Sequence, residues 1–515
     1  MSEYSHRDLF LKKPRNHKAS AINRLQNPRA CACRFSPYVT LSYVWGDEQR
    51  RQKVGPNLPP TIEDAIHVTL KLGYQYLWVD RYCINQGNDS EEISQIQQMG
   101  SIYKNSEFTI IAAAGSDPCY GLPGVSRSRL PQAAVRFGQL ELVNPGSVAA
   151  TVLKHSQWST RGWTFQEASL SKRRIVFTDE QVYYECNGMY SYESLNVPLE
   201  KMHGEGSQIL DREYFTTNYR GNSGRIVIFP GEVGYEPLII FDHISCFSRR
   251  TFTYPSDKLI GFLGILKEFE TGPHRIRNIW GSPILPNGVD RSTPESYNVT
   301  EFLITMIWSC GAAKRIVSLP SWSWVGWDGA LNTSDVRYTE GLDQARPATI
   351  AVELSTGQIL DWSAFHDTYA EVNDLTKLSQ FIHISCWTIP LTFTYEAGLR
   401  SFTQLLFRDG CRMPWNFSIY DSSFKSDSYT GILLVFHKDL KGIGKTRFML
   451  IFAEVRGRME RVGGDWLSTA AGLYRDGEPV LERKETCPRN YAKGKVPKRG
   501  MVRGGMIIWC IPIRH

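Results

Sequence analysis

The sequence predicts an α/β domain at the front of the chain, a mixed and mostly helical middle, and a β-rich end. Three observations predict this. Strand-like apolar runs at 38–43, 76–80 and 108–114 alternate with two stretches of helical periodicity. The connections between them are short, the pattern of β-α-β units that build a parallel sheet with helices on both faces. From residue 348 onward the apolar runs are short, rich in β-branched and aromatic residues, and bounded by turn residues.

Residues 1–36 are polar and basic, with Lys12, Lys13, Arg15 and Lys18, and read as a solvated lead-in. Y-V-T-L-S-Y (38–43) alternates and forms the first strand, running into a loop of Val44, Trp45, Gly46 and Asp47. After Pro59 and Pro60, Thr61 is placed to cap a helix with Asp64 three residues on. Ile62, Ala65, Ile66, Thr69 and Leu70 share one face of that helix, and Gly73 ends it. Y-L-W-V-D (76–80) is a short strand ending on Asp80, followed by a polar loop from Arg81 to Gln86. Asp89 or Ser90 caps the next helix, whose apolar face is Ile93, Ile96, Met99 or Gly100, and Tyr103. F-T-I-I-A-A-A (108–114) is a buried strand ending at Gly115.

In parallel sheets ligands sit beyond the carboxyl ends of the strands. Here those ends carry the polar loops Ser42–Asp47, Asp80–Gln86 and Gly115–Gly121. No G-x-G-x-x-G follows a strand, which disfavours an ordinary dinucleotide fold. Residues 120–156 read as a loop-rich insertion with a strand at 139–143, and strands are expected at 174–178 and 181–186.

Between them lies W-S-T-R-G-W-T-F-Q-E-A-S-L-S (158–171). Thr164 and Glu167 have capping-box spacing, so Glu167 reads as a helix cap. Beside Trp163 and Phe165 the same carboxylate also reads as a group whose proton affinity is tuned by apolar neighbours. Spacing alone leaves both readings open.

Composition bounds the function. The 515 residues exceed one ordinary core, so two to three domains are expected. Hydrophobic residues at 42% and charged residues at 22% fit a soluble globular protein, and a net charge of +7 over this length is too mild to imply nucleic acid. The 11 cysteines are scattered, with no CxxC pair and no Cys/His cluster at zinc spacing, so no metal site is expected. An odd number of thiols, no apolar leader and no membrane-length apolar run point to a reducing, cytoplasmic setting.

L-S-Y-V-W-G-D (41–47), Y-L-W-V-D-R-Y-C-I-N-Q (76–86), Q-Q-M-G-S-I-Y (97–103), G-L-P-G (121–124) and R-G-W-T-F-Q-E-A-S-L-S (161–171) together resemble the fungal heterokaryon incompatibility (HET) domain. V-F (176–177) with Y-E-C (184–186) extends the resemblance, which covers about 37–190. S-D-K-L-I-G-F-L-G-I-L (256–266) and L-P-S-W-S-W-V-G-W (319–327) resemble what commonly follows that domain. Arg81 and Tyr82 depart from the pattern, standing where small or apolar residues are usual. The resemblance implies a TIR/flavodoxin-like parallel sheet and a role in non-self recognition and programmed cell death in filamentous fungi. W-T-F-Q-E (163–167) is similar to the TIR segment W-C-x-x-E, whose Glu is catalytic in TIR enzymes that cleave NAD. The interval from the 108–114 strand to Trp163 is longer than a compact TIR domain has.

Two functions follow as expectations. In the enzymatic one NAD is a substrate rather than a resident cofactor, and Glu167 stabilises the oxocarbenium-like centre made when the nicotinamide–ribose bond breaks. Tyr43 and Trp45 stack on a ring, Ser42, Gly46 and Asp80 bind ribose or phosphate, and Asn85 and Trp163 complete the binding set. A rival nucleophile, Cys83 with His67 or His155 as base, competes with a core role for that cysteine. In the non-enzymatic expectation the domain self-associates or recruits a death-pathway protein. A Glu167 exposed in a cleft with Ser42, Trp45 and Asp80 marks the enzyme, and one buried against Arg161 or Arg173 marks the scaffold.

Past the domain, Gly/Ser/Asn-rich residues 190–225 read as a linker, and 235–330 as mixed and mostly helical. Trp322, Trp324 and Trp327 read as a loop anchor before a ligand platform. Residues 348–515 read as a sandwich or partial barrel. G-I-G-K-T (442–446) lacks the upstream glycine of a P-loop, and the basic stretch Lys493–Arg499 reads as a solvated loop. The expected organisation is a lead-in over 1–36, the α/β domain over 37–190, a mixed accessory region over 191–345 and a β-rich domain over 346–515.

Overall fold

Side-chain alternation makes the first strand of the front domain. In the computed structural model, Tyr38–Ser42 (β2, after a two-residue β1 at Leu11–Lys12) sends Val39 and Leu41 to one face and Thr40 and Ser42 to the other. Residues 11–12, 36–46, 58–84, 89–144, 147, 149–186, 190–193, 233–286, 297–333, 336, 340–342, 348–386, 388–393, 402–406, 412–417, 419–421, 429–438, 446–455, 457–466, 474–475, 478–479 and 506–509 are described. They divide into two compact units: Met1–Val233 with Arg250–Thr253 and Ile260–Lys267, and the remainder.

In the first unit, Pro60–Lys71 (α1) leads to Tyr76–Trp78 (β3), a helical turn at Asp80–Cys83 (α2), Asp89–Asn105 (α3) and Phe108–Ala112 (β4). A hairpin follows at Ala134–Phe137 (β5) and Leu140–Val143 (β6). Short helices Ala149–Lys154 (α4) and Gln157–Thr160 (α5) precede Gly162–Leu170 (α6), then Arg173–Phe177 (β7), Val182–Cys186 (β8) and Tyr190–Tyr192 (β9). The sheet order is β1-β3-β2-β4-β7-β8-β9. Strands β3, β2, β4 and β7 are mutually parallel, as expected from the β-α-β pattern.

The sheet is mixed rather than purely parallel. β8 and β9 add antiparallel to β7, and β1 adds antiparallel to β3. The reason is local. Thr178 and Gln181 close a tight turn after β7, with the Thr178 hydroxyl donating to the Gln181 carbonyl at 2.7 Å, and so short a link returns the chain antiparallel.

Val39, Leu41, Ile110 and Leu77 pack with Ile62 and Ala65 of α1 on one face of the sheet. On the other face Trp78 meets Tyr103 of α3 edge-to-face at 5.4 Å, and Thr109 shares a short 2.5 Å hydrogen bond with Ser171 just past α6. α6 packs on this side through Gly100 of α3, whose hydrogen faces Leu170 and Gly264, and the Gln166 side chain accepts from the Gly264 amide at 2.9 Å. Thr251 bonds the backbone at both Thr160 and Gly162, so segments from far downstream complete this unit.

Two capping expectations are corrected. Helix α1 begins at Pro60 with Pro59 as its cap, because proline needs no amide partner there. Thr61 and Asp64 instead accept hydrogen bonds from the Gly121 and Leu122 amides, and Asp64 also from the Ser126 hydroxyl, fastening the G-L-P-G loop. Helix α6 begins at Gly162, so Glu167 lies inside it and caps nothing; the Thr164 hydroxyl donates backward to the Trp158 and Arg161 carbonyls.

In the second unit, helices Ile239–Ser248 and Val299–Thr305 accompany short hairpins, and among the described residues thirteen strands join one hydrogen-bonded sheet. Thr349–Leu354, Leu378–Ser385, Tyr429–Lys438, Thr446–Val455 and Met506–Trp509 occupy the strand-like runs. Trp322, Trp324 and Trp327 are buried, each indole donating to a backbone carbonyl (Gln380, Gly281 and Ser321), which is an anchor. Arg461 is fully buried, donating to the carbonyls of Met306, Trp308 and Gly463 with its guanidinium 3.6 Å from the Trp308 ring centre. Among the described residues no helix is long and apolar enough to cross a membrane.

Candidate functional site

The carboxyl ends of β2 and β3 and the buried side of α6 bring two carboxyl groups to one place. Ser42 closes β2, Asp80 follows β3 at the start of α2, and Glu167 projects from α6, which packs on β2. All three are buried, Glu167 to 4% exposure. The Trp158 indole donates to the Ser42 hydroxyl at 2.8 Å, so the hydroxyl proton of Ser42 is free to go to Glu167, with which it is hydrogen-bonded. Asp80 accepts from the Trp45 indole at 2.7 Å and from the Arg81 amide at 2.6 Å.

Tyr103 fixes where a proton resides. Its hydroxyl donates to the Leu41 carbonyl at 3.0 Å and is also hydrogen-bonded to Glu167. One phenolic proton cannot serve both acceptors. A carboxylic-acid Glu167 resolves this by donating to Tyr103 while accepting from Ser42. The electrostatics agree: burial first, and then the neighbouring Asp80 charge, push Glu167 up to about 8. The Ser42 hydrogen bond and the charge of Arg161 oppose that rise. Burial also pushes Asp80 up to about 6, against hydrogen bonds from Arg81 and Trp45 and the charge of Arg161. Burial and mutual repulsion thus both disfavour a doubly charged pair, so the two carboxyl groups titrate together above the ordinary carboxylate range.

Tyr43 adds an unusual group. It is buried to 4% exposure, and among the described residues its hydroxyl has no hydrogen-bond partner. Asp80, Tyr82, Arg81 and Glu167 are the charged or titratable groups whose fields reach it. An unpaired buried hydroxyl costs about 1–3 kcal/mol, and a bound hydroxyl or carbonyl would relieve that cost.

Ser42, Trp45, Asp80 and Glu167 thus come together, with Tyr43 beside them. Trp163 is half-buried one turn before Glu167 on α6. Gly46 serves the turn after β2: its φ of 73° is left-handed, and a Cβ there would sit 3.1 Å from Asp117 Cβ. Asn85 lies outside the described residues, as do Asp47 and residues 442–445 of G-I-G-K-T. Neither simple outcome for Glu167 holds, since it is buried, yet among Ser42, Asp80 and the field of Arg161. Cys83 is buried and its sulfur accepts from the Val79 amide at 3.4 Å, while His67 and His155 are exposed, which is the core role.

Sequence reasoning missed Tyr103 and Trp158, whereas Arg161 was anticipated as a neighbour of Glu167. Tyr103 was visible only as the last apolar position of a helical face, and Trp158 only as the first letter of an aromatic stretch. Among the described residues no group of His, Cys, Asp and Glu has metal-holding geometry.

Residues 38–167 match the family model described as heterokaryon incompatibility protein (HET). A curated relative, heterokaryon incompatibility protein 6, OR allele, of Neurospora crassa, is 26% identical over 93 residues, 14% of this chain and 14% of that protein. The match therefore spans only about a seventh of the relative's length. No solved structure matches significantly.

Proposed function

We propose that this chain, which carries a HET domain over residues 38–167, acts in fungal heterokaryon incompatibility as an effector or regulator of programmed cell death. The similarity to the Neurospora incompatibility protein supports that role. Its mechanism, in our reading, is NAD cleavage at the Asp80–Glu167 pair. The observation that carries it is the convergence of two buried carboxyl groups and an unpartnered Tyr43 hydroxyl at the carboxyl edge of parallel strands. The four parallel strands run in the order second, first, third, fourth along the chain. That is the order of flavodoxin-like sheets, whose ligands bind at this edge, and it supports a TIR/flavodoxin-like core.

The chemistry fits the pair. Cleavage sends the electrons of the nicotinamide–ribose bond to the ring nitrogen, leaves an oxocarbenium ion, and ends with water adding to that carbon and losing a proton. Asp80 supplies the standing negative charge. The pyridinium charge of NAD drives the Glu167 proton off to solvent, because an adjacent cation favours the ionised carboxyl, and Glu167 regains a proton from the water that adds. The second carboxylate then takes its place against the oxocarbenium.

A second reading has its own support: Glu167 is only 4% exposed, which favours a non-enzymatic module that recruits partners. Nicotinamide release from NAD by the purified full chain, wild type beside Glu167→Ala, separates the two. Release by wild type and silence of a folded variant support the enzyme. No release by either, at high protein concentration, leaves the recruiting module.

A further inference from the structure

One face of the large sheet in the second unit carries two buried polar atoms that the described residues leave unsatisfied. Leu378–Ser385 pairs antiparallel with Met506–Trp509, which pairs in parallel with Arg458–Trp466. Trp509 lies level with Ile382 on one side and with Met459 on the other. One residue along, Ile508 is level with His383, and the parallel register puts Arg458 in the same rung. Opposed residues share a face, as do residues two apart along a strand. Phe381, His383 and Arg458 therefore share one. The Arg458 guanidinium reaches back across the intervening strand to sit 4.8 Å from the Phe381 ring centre. On this face His383 Nε2 is 2.9 Å from Glu353 Oε2, and Glu353 Oε1 accepts from the Ser379 hydroxyl at 3.1 Å. An ionised carboxylate only accepts, so Nε2 carries a hydrogen. His383 Nδ1 is then left buried and without a partner, on a side chain that is 6% exposed. Arg458 Nη1 is also buried and without a hydrogen-bond partner, and among the described residues the guanidinium forms no ion pair. Glu460, two residues along its own strand, is bound instead to Arg315 at 3.3 Å. A charged nitrogen taken out of water with no acceptor is costly.

We propose that Arg458 and His383 together hold the phosphate group of a small molecule. Arg458 supplies the charged, forked donor that phosphate recognition uses. His383 Nδ1 accepts from a P–OH when the ring is neutral and donates to a P–O⁻ when the ring is charged against Glu353. Phosphate suits both states, because its second ionisation lies at about 6 and both kinds of oxygen are present near neutral pH. Sulfate and carboxylate groups carry no such proton there. Both oxygens of Glu353 are engaged, one with Ser379 and one with His383, so its part is to fix which imidazole nitrogen faces the ligand. Glu353, Phe381 and Arg458 are half-buried, so the site opens to solvent while its bonding atoms stay covered. It shares no residue with the Asp80–Glu167 pair and is independent of any NAD chemistry.

Equilibrium dialysis of the full chain against inorganic phosphate near neutral pH tests this. Wild type should show a single saturable site. Arg458→Met keeps the packing on Phe381 and His383→Phe keeps a ring; each should weaken binding about tenfold or more while retaining the wild-type circular dichroism. Arg458→Lys, which keeps the charge and loses the fork, should fall between wild type and Arg458→Met. Sulfate should displace phosphate only weakly. Absence of saturable phosphate binding overturns the proposal, as does binding that Arg458→Met leaves unchanged, a result that stands even where His383→Phe does not fold. Displacement by sulfate at equal concentration also overturns it and makes this a general anion site. Binding to phosphatidic-acid vesicles without binding of inorganic phosphate overturns it as well and gives the two groups to a lipid headgroup.

Discussion

Glu167→Gln should make the first unit less sensitive to alkali. The glutamine keeps the geometry, its carbonyl accepting from Ser42 and its amide donating to Tyr103, but it carries no proton to lose. In wild type, burial and the neighbouring Asp80 charge push the folded group up to about 8 from the ordinary 4.5 of a free glutamate. A carboxyl raised on folding lends stability that is complete below the unfolded value and disappears as pH climbs through the folded one. Each pH unit in that window is worth about 1.4 kcal/mol. Between about pH 5 and pH 8, wild type should therefore lose on the order of 3 kcal/mol that the glutamine variant keeps. Hydrogen exchange of peptides spanning Tyr38–Ser42 and Phe108–Ala112, corrected for the intrinsic pH effect, reads the opening free energy of this unit directly. Parallel pH profiles for the two proteins would refute the reasoning, because Glu167 would then titrate as an ordinary exposed carboxylate. A wild type that gains stability toward pH 8 relative to the variant would refute it more strongly, since the pair would have to be held ionised by Arg161.

Two further substitutions test the packing. Gly162→Ala places a methyl 1.9 Å from Phe252 Cζ; it should cost about 2–3 kcal/mol in the same exchange assay, and Phe252→Leu added to it should recover most of the loss. Arg461→Met strands the carbonyls of Met306 and Trp308; a loss of about 2–4 kcal/mol in urea unfolding of the second unit is expected, and a neutral result would mean those carbonyls find other donors.

Much of the front domain is legible in sequence because its signals are local. Alternation in Y-V-T-L-S, helical spacing in 62–70 and the apolar run 108–112 each specify an element from neighbouring residues alone. The β-rich end and the placement of Ser42 at a strand end follow from the same periodicities, whereas Asp80 opens a helical turn, Asp80–Cys83, where the end of a strand and a polar loop were expected. Capping was misread at Thr61 and Thr164 because side-chain oxygens there had better partners elsewhere: the Gly121 amide in one case, two carbonyls in the other. The antiparallel β8 and β9 were missed as a sheet direction, since pairing depends on the turn that precedes it.

The sequence by itself determined that an α/β domain with a carboxylate at 167 and another at 80 exists. Only the tertiary structure decided what those carboxylates are. The Trp158 indole that fixes Ser42 lies 116 residues from it, and Tyr103 reaches the Leu41 carbonyl over 62. Proton affinity depends on burial and on the charges nearby in space, and neither is a property of neighbouring letters. A cap in the sequence thus becomes, in the fold, one of two buried carboxyl groups whose proton affinities are raised together.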